Sequence, residues 1–143
     1  MSEQDNIRTA EKLFDAINTH NVRTHDELYA PDYKLDGPGA AGSMNLEQSR
    51  MYLEGFLDAF PDLNFKLMKK IADGDMVAIT WTATGTHTGP MRTPTGGMIP
   101  PTGKKGVVNG CTTYEFIGGK VASSATYWDM ATLLMQLGLM PGM

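Results

Sequence analysis

The stretch KVASSATYWDMATLLMQLG, residues 120–138, contains a strand pattern that changes directly into a helix pattern. Small, β-branched and aromatic residues up to Trp128 are typical of a strand. The residues after Asp129 then place apolar side chains at helical spacing: Met130, Leu133, Leu134 and Leu137. The stretch therefore predicts a strand over 120–128 and a helix from about Asp129 to Leu137, with Gly138 as its C-cap.

Asp129 lies at the junction of the two patterns, beside Tyr127 and Trp128 and ahead of the apolar helix. A carboxylate in apolar surroundings loses hydration, so its pKa rises and it can carry a proton near neutral pH. An Asp at the start of a helix is also a favoured N-cap, because its side-chain oxygen accepts backbone N–H bonds. Both interpretations, a sheltered acid/base group and a helix cap, are consistent with the sequence.

The residues before this stretch divide into a helical first half and a β-rich second half. Capping patterns that begin at Ser2, Thr24 and Asn45 predict helices over 2–18, 24–29 and 46–60. We expect a short strand over 32–36, a loop over 37–42, strands of period two from residue 63, a hairpin at 73–75 and a further strand over 105–117.

Helices followed by an antiparallel meander are typical of an α+β fold, because a parallel sheet needs alternating strands and helices. We expect a single cone-shaped domain over 1–143, in which a strongly curved, mainly antiparallel sheet wraps the helices around a blind pocket. The glycine- and proline-rich residues 88–103 predict a structureless flap over this pocket.

Composition excludes several classes of protein. A net charge of -4 argues against nucleic-acid binding, and no apolar run approaches the roughly 20 residues of a membrane span. The polar N-terminus is unlike a signal peptide, and a single cysteine, Cys111, is typical of a reducing compartment, so we expect a cytoplasmic protein. The three histidines lack metal-ligand spacing, which predicts no metal site.

Acid–base chemistry by isolated side chains then remains, with Asp129 as the first candidate. His87 ends a strand at the edge of the flap, where an imidazole can polarise a carbonyl or carry a proton, or can simply be a surface side chain. Asp36 precedes a glycine-rich loop and either faces the pocket or initiates a turn.

Aromatic residues complete the predicted substrate-binding set. Trp81 and Tyr127 can stack on a flat substrate, although ordinary core packing explains each of them as well. Phe56 lies on the inward side of the helix predicted over 46–60, and Tyr33 lies in the short strand before Asp36. We expect both to contact a bound ligand.

Several motifs, in this order and spacing, resemble the SnoaL-like polyketide cyclase (ester cyclase) family. That family shares its cone-shaped α+β fold with ketosteroid isomerase and the nuclear-transport-factor-2-like proteins. The resemblance covers nearly the whole chain, and the motifs that carry it are Phe60-Pro61-Asp62-Leu63, Trp81, Gly85-Thr86-His87-Thr88-Gly89, Pro101-Thr102-Gly103-Lys104, Phe116, Gly119-Lys120-Val121, Trp128-Asp129 and Leu133-Leu134-Met135-Gln136-Leu137-Gly138.

The resemblance implies an intramolecular aldol condensation on a polyketide-like carbonyl compound, without cofactor or metal, in which the catalytic aspartate falls on Asp129. Many relatives carry His, Glu or Asp where this chain has Ser123, Ser124 and Thr126. A non-catalytic binding protein of the same fold, or an epoxide hydrolase or isomerase-like enzyme, is therefore an alternative to a cyclase-type lyase.

We expect the chain to form a homodimer or homotetramer. One face of the strand through residues 77–86 presents Thr80, Thr82, Thr84 and Thr86. This face and the Met-containing tail over 140–143 are unfavourable surfaces for a monomer in water. Neither a nucleic acid nor a membrane is an expected partner.

Overall fold

The computed structural model describes residues 2–36, 43–92 and 96–139. Its helices are α1 (Glu3–Asn18), α2 (Leu46–Ala59) and α3 (Met130–Gln136), with one 3-10 turn at Asp26–Leu28. Its strands are β1 (Tyr29–Asp36), β2 (Asn64–Asp73), β3 (Met76–Thr86), β4 (Met91–Arg92), β5 (Met98–Ile99), β6 (Lys105–Ile117) and β7 (Lys120–Trp128). The predicted α+β class is confirmed.

Reciprocal capping boxes begin both long helices. Ser2 and Asp5 satisfy each other's backbone N–H groups at α1, and Asn45 and Gln48 do the same at α2. The capping box expected at Thr24 is wrong, because the 3-10 turn begins after His25 with no side-chain cap. That segment is held to α2 by ion pairs instead: Arg23 to Glu47 and Glu54, and Arg50 to Asp26.

The main sheet is mixed and curved, with the strand order β1-β7-β6-β3-β2. The last four strands in this order pair antiparallel, and β1 joins the edge of β7 in parallel. Alternation along β3 buries Val77, Ile79, Trp81 and Ala83 on the inner face, as predicted. Gly74 supports the β2–β3 turn with a φ of 61°, which favours glycine.

Two side-chain carboxamides pair with strand backbone at positions where a neighbouring strand is missing. Asn18 at the end of α1 bonds both the N–H and the C=O of Phe65, at 2.7 and 2.9 Å. Gln136 at the end of α3 bonds both backbone groups of Val107, at 2.7 and 2.9 Å. These bonds fix α1 and α3 against the sheet. The C-cap of α3 is Leu137, one residue before the predicted Gly138, and Gly138 follows it with a φ of 74°.

The predicted flap is not structureless in its described part. β4 and β5 pair antiparallel as a small hairpin, and Met91 packs against the hydrophobic core. The predicted loop over 37–42 and residues 93–95 lie outside the described residues. Within the described ranges, no helix has both the length and the apolar character needed to cross a membrane.

Candidate functional site

A cavity of about 150 Å³ lies between α1, α2 and the inner face of the main sheet. Helix residues, strand residues and one residue of α3 make its walls mainly apolar. The apolar lining includes Leu13, Phe14, Ile17, Leu53, Phe56, Phe60, Phe65, Trp81, Val108, Trp128 and Leu133. Such a cavity suits an uncharged organic ligand with flat or cyclic parts.

Phenol groups supply much of the cavity's polar surface. Tyr29, Tyr33, Tyr52 and Tyr114 all line it. Burial disfavours the phenolate, so it raises the pKa of Tyr33 to about 12 and also raises the pKa values of Tyr29, Tyr52 and Tyr114. These side chains therefore stay neutral near pH 7, where they can exchange hydrogen bonds with a ligand oxygen.

Buried hydroxyls form a short hydrogen-bonded relay at one side of the cavity. The Tyr33 phenol shares a hydrogen bond with Ser124 Oγ, and the nearby Ser49 hydroxyl slightly offsets the effect of burial on the Tyr33 pKa. Ser49 Oγ in turn donates to the carbonyl oxygen of Leu46 at 2.8 Å. Tyr33, Ser49 and Ser124 are each 5–6% exposed, so the relay is sheltered from bulk water.

A second polar group begins at the Trp81 indole. Trp81 Nε1 donates to Thr112 Oγ1 at 3.0 Å, and Thr112 Oγ1 lies 3.1 Å from Thr126 Oγ1. Thr112 and Thr126 are direct partners in the β6–β7 register. Because the indole can only donate, this group keeps one hydroxyl proton for another acceptor.

Asp36 is the one carboxylate among the described residues that line the cavity, and no Lys, Arg or His is among them. It ends β1, where its carboxylate accepts a hydrogen bond from the Ser43 hydroxyl. The Asp36 charge adds to the effect of burial in raising the pKa of Tyr33. The carboxylate is thus close enough to influence the buried relay, while its residue remains exposed.

Asp129 lies outside the set of residues that line the cavity. It is exposed, and its carboxylate caps α3 by accepting from Thr132 N at 3.0 Å and from Thr132 Oγ1. These hydrogen bonds lower the pKa of Asp129. The expectation of a sheltered Asp129 carboxylate with a raised pKa is therefore wrong, and the helix-cap interpretation agrees with the structure. The reason is that α3 begins at the next residue, Met130, and its free backbone N–H groups require an acceptor.

His87 is fully buried, yet it is not among the described residues that line the cavity. Its Nδ1 accepts from Thr102 N at 3.2 Å, and its ring lies 5.3 Å from that of Phe60. Burial lowers the pKa of His87. The imidazole thus accepts a hydrogen bond from the end of the flap, and the alternative of a surface histidine is wrong.

The structure therefore separates the predicted site residues into two groups. Tyr33, Asp36, Phe56 and Trp81 meet in the cavity, whereas Asp129, His87 and Tyr127 do not line it. Alternation along β7 explains Tyr127: Trp128 points inward, so its neighbour lies on the outer face, where it is 51% exposed.

Sequence analysis missed most of the cavity's hydroxyl groups. The hydroxyl residues that line the cavity and were missed as site residues are Tyr29, Ser49, Tyr52, Thr84, Thr112, Tyr114, Ser124 and Thr126. The period-two pattern of β6 and β7 carries the signal for some of them, since Thr112 pairs with Thr126 and Tyr114 pairs with Ser124 on the inner face. Helical spacing carries the signal for Ser49 and Tyr52, since both lie on the same inward side of the helix predicted over 46–60 as Phe56.

Metal ligands are not grouped anywhere in the described part of the chain. No three His, Cys, Asp or Glu side chains lie close enough there to hold an ion. The groups available for chemistry in the cavity are one carboxylate and a set of neutral hydroxyls.

Comparison with solved structures supports the fold over nearly the whole chain. AclR from Streptomyces galilaeus, a proposed hydroxylase, is 25% identical with a TM-score of 0.84, over 98% of this chain and 100% of AclR. IdmH from Streptomyces antibioticus, a proposed polyketide cyclase, is 27% identical with a TM-score of 0.78, over 93% and 98% of the two chains. A proposed polyketide cyclase from Acidithiobacillus ferrooxidans is 26% identical with a TM-score of 0.78, over 96% and 98%.

Two comparisons at the level of sequence gave different outcomes. No curated protein sequence matches the chain. The family model of the SnoaL-like polyketide cyclases matches residues 7–137, which include α2, the whole main sheet and α3. The chain therefore belongs to the SnoaL-like polyketide cyclase family.

Proposed function

We propose that this protein is a cyclase-type enzyme that binds an apolar carbonyl compound in the cavity and converts it by acid–base chemistry of its own side chains. The observation that carries the proposal is the pairing of Asp36 with neutral hydroxyls in an otherwise apolar, aromatic cavity. A carboxylate can remove a proton from a carbon flanked by carbonyl groups. The similar solved structures include proposed polyketide cyclases, and their names are consistent with this proposal.

In the proposed reaction, Asp36 takes a proton from the acidic carbon, whose C–H bond breaks to give an enolate and a neutral carboxylic acid. The enolate carbon attacks a second carbonyl of the same molecule, forming the C–C bond of a ring. The new alkoxide then takes the proton back from Asp36, so the enzyme returns to its starting state. The hydroxyl proton left by the Thr112–Thr126 pair can bond to the enolate oxygen, which stabilises its charge.

Family resemblance points to Asp129 as the base, whereas the cavity lining favours Asp36. Asp129 has a lowered pKa and is occupied with the first turn of α3. An aspartate in that state is a weak base and is absent from the described cavity wall. We therefore assign proton transfer to Asp36 and helix capping to Asp129.

Proton exchange on a simple ketone separates these two assignments. The C1 protons of 2-tetralone are acidified by both its ring and its carbonyl, and their replacement in D2O is followed by NMR. We expect the wild type to accelerate exchange, Asp36→Asn to reduce the catalysed rate about 100-fold or more, and Asp129→Asn to change it less than about threefold. Loss of exchange in Asp129→Asn with retention in Asp36→Asn would reverse the assignment.

Asp32→Asn is the matched control for this experiment. Asp32 lies on the same strand as Asp36, is exposed and does not line the cavity. Its substitution removes one negative charge from β1 and should leave the exchange rate unchanged. A loss equal to that of Asp36→Asn would mean that net charge, and not the cavity carboxylate, controls the rate.

A non-catalytic binding protein is the second candidate function. The exposure of Asp36 favours it, because an enolate formed beside an exposed carboxylate is not protected from water. This function predicts binding of 2-tetralone with no accelerated exchange by any form of the protein. Binding is measurable through fluorescence, since both tryptophans of the chain line the cavity.

We also propose a cytoplasmic homodimer, formed through the outer face of the main sheet. Met68 and Tyr127 are 55% and 51% exposed on this face, around Thr80, Thr82 and Cys111. An apolar surface of this kind is favourable for contact with a second copy. Sedimentation at micromolar concentration should give a dimer for the wild type and a monomer for a Met68→Glu, Tyr127→Glu double variant; a monomeric wild type would contradict the proposal.

A further inference from the structure

Gly110 lies in the middle of a row that crosses the inner face of the main sheet between the chain's two tryptophans. In the strand register it pairs with Trp81 of β3 on one side and with Trp128 of β7 on the other. Alternation along β6 places Gly110 on the same face as the buried Val108 and Thr112. A residue without a side chain thus lies between two large side chains that both line the cavity.

The Trp81 indole fills the space that this glycine leaves. A Cβ atom on Gly110 would lie 2.3 Å from both Cη2 and Cζ2 of the indole and 2.9 Å from its Cε2. Non-bonded carbon atoms do not approach this closely, because their optimal separation is about 3.5–4.0 Å. The indole can therefore lie against the backbone of β6 only while residue 110 is glycine.

The other contacts of Trp81 leave the cavity as the direction in which the indole can move. Its ring centroid lies 4.8 Å from that of Phe65, its Nε1 donates to Thr112 Oγ1 at 3.0 Å, and only 4% of the residue is exposed. A side chain at position 110 would therefore displace the indole into the cavity. With about 150 Å³, this cavity is smaller than most ligand pockets, so even a small displacement removes space that a ligand needs.

We infer that Gly110 is a specificity-determining residue: by letting Trp81 lie against β6, it sets the largest ring system that the cavity accepts. The ligand class that follows is a small, neutral cyclic ketone. The apolar walls enclose its rings, and the hydroxyl proton left by the Thr112–Thr126 pair bonds to its carbonyl oxygen. This inference deepens the proposed function and rests on it in requiring that a ketone occupies the cavity.

Cyclohexanone and 2-tetralone test the size limit, since both are neutral ketones and they differ by one fused ring. Titration of the full-length protein, followed through its backbone amide signals by NMR, gives the affinity for each ketone. Gly110→Ala should weaken 2-tetralone binding about tenfold, because the displaced indole overlaps the second ring, and should change cyclohexanone binding less than about threefold. Equal weakening of both ketones would show that Gly110 has a merely structural role. 

Trp81→Phe provides a second background for the same substitution, because a phenyl ring lacks the indole atoms that a Cβ on residue 110 would meet. In this background, Gly110→Ala should weaken 2-tetralone binding less than about threefold, so the two substitutions are coupled. It should also lower the melting temperature less than it does in the wild type, which tests the overlap even where Gly110→Ala alone is unstable. A tenfold loss of affinity in both backgrounds would contradict an action through the indole.

Gly55→Ala is the matched control, because it makes the same chemical change at a glycine of α2 with open space around its Cβ position. It should leave the affinities for both ketones unchanged. Wild-type protein that catalyses proton exchange, together with a Gly110→Ala variant that keeps the wild-type ratio of the two affinities, would overturn the inference and leave the proposed function standing. Failure of the wild type to bind either ketone would instead contradict the cavity as a ligand site, and with it both proposals.

Discussion

At the scale of single residues, two aspartates at strand ends have different surroundings. Asp36 is the last residue of β1 and lines the cavity, whereas Asp129 follows β7 and caps the first turn of α3. Free N–H groups of a new helix stabilise a carboxylate and lower its pKa, as seen for Asp129. Neighbouring secondary structure therefore decides which aspartate is available for chemistry.

Substitutions of Asp129 should affect stability according to capping ability. Asp129→Asn keeps an oxygen acceptor for the Thr132 N–H and should leave the melting temperature close to that of the wild type. Asp129→Ala removes the acceptor and should lower the melting temperature by a few degrees. Differential scanning calorimetry measures both, and equal stability of the Ala and Asn variants would contradict a capping role.

The buried His87 predicts a pH dependence of stability. Its pKa is lowered in the folded protein, so the unfolded chain binds a proton more readily. The contribution of the neutral imidazole is complete above the ordinary histidine pKa of 6.5 and is lost as the pH falls from there toward the lowered value. Melting temperatures should accordingly decrease between about pH 6.5 and pH 5, before most carboxylates titrate.

A His87→Gln variant tests this assignment. It lacks the titrating imidazole, so its melting temperature should change less than that of the wild type over the same pH interval. His20 and His25 remain in this variant, so any difference from the wild type is due to His87 and not to the other two histidines. The same pH dependence in wild type and variant would show that another group is responsible.

At the scale of secondary-structure elements, the long helices and the main strands follow from sequence patterns. Capping boxes at Ser2 and Asn45, period-two alternation along β3 and glycine at the turns each act locally, so they are readable without a structure. The parallel pairing of β1 with β7 joins residues that are distant in the chain, such as Leu35 and Ser124, and no local pattern specifies it. The flap hairpin was not predicted, because β4 and β5 have two residues each and are too short to show a period-two pattern.

Packing of α2 against the flap predicts contrasting effects at two glycines. A Cβ on Gly89 would lie 1.9 Å from the Asp58 carbonyl oxygen, a backbone atom that cannot move independently. Gly89→Ala should therefore lower the free energy of unfolding by about 1–3 kcal/mol. Gly55 lies within α2 with open space around its Cβ position, so Gly55→Ala should raise that energy by about 0.5–1 kcal/mol.

Urea unfolding measures both glycine variants under the same conditions. The close approach at Gly89 also places its N–H 3.1 Å from the Ala59 carbonyl, which joins the flap to the end of α2. A neutral Gly89→Ala substitution would mean that this junction tolerates displacement. Stabilisation confined to Gly55→Ala is the expected pattern.

At the scale of the whole molecule, the fold and family were predictable, and much of the site was not. Motifs spread from Phe60 to Gly138 gave the family, which the family model confirms over residues 7–137. The cavity, however, combines residues from helices and strands that are distant in the chain, such as Ser49 with Ser124. Burial of these hydroxyls follows from tertiary packing, which composition and spacing do not encode residue by residue.

The central claim is that the chemistry belongs to the cavity beneath α2 rather than to the exposed junction at Asp129. The indole N–H signals of Trp81 and Trp128 report on it directly, since the chain has only these two tryptophans and both line the cavity. Titration with 2-tetralone, followed by ¹⁵N–¹H NMR, should shift both indole signals and leave the Asp129 and Tyr127 amides nearly unchanged. Shifts concentrated at Asp129 and Tyr127, with both indole signals unmoved, would contradict the account.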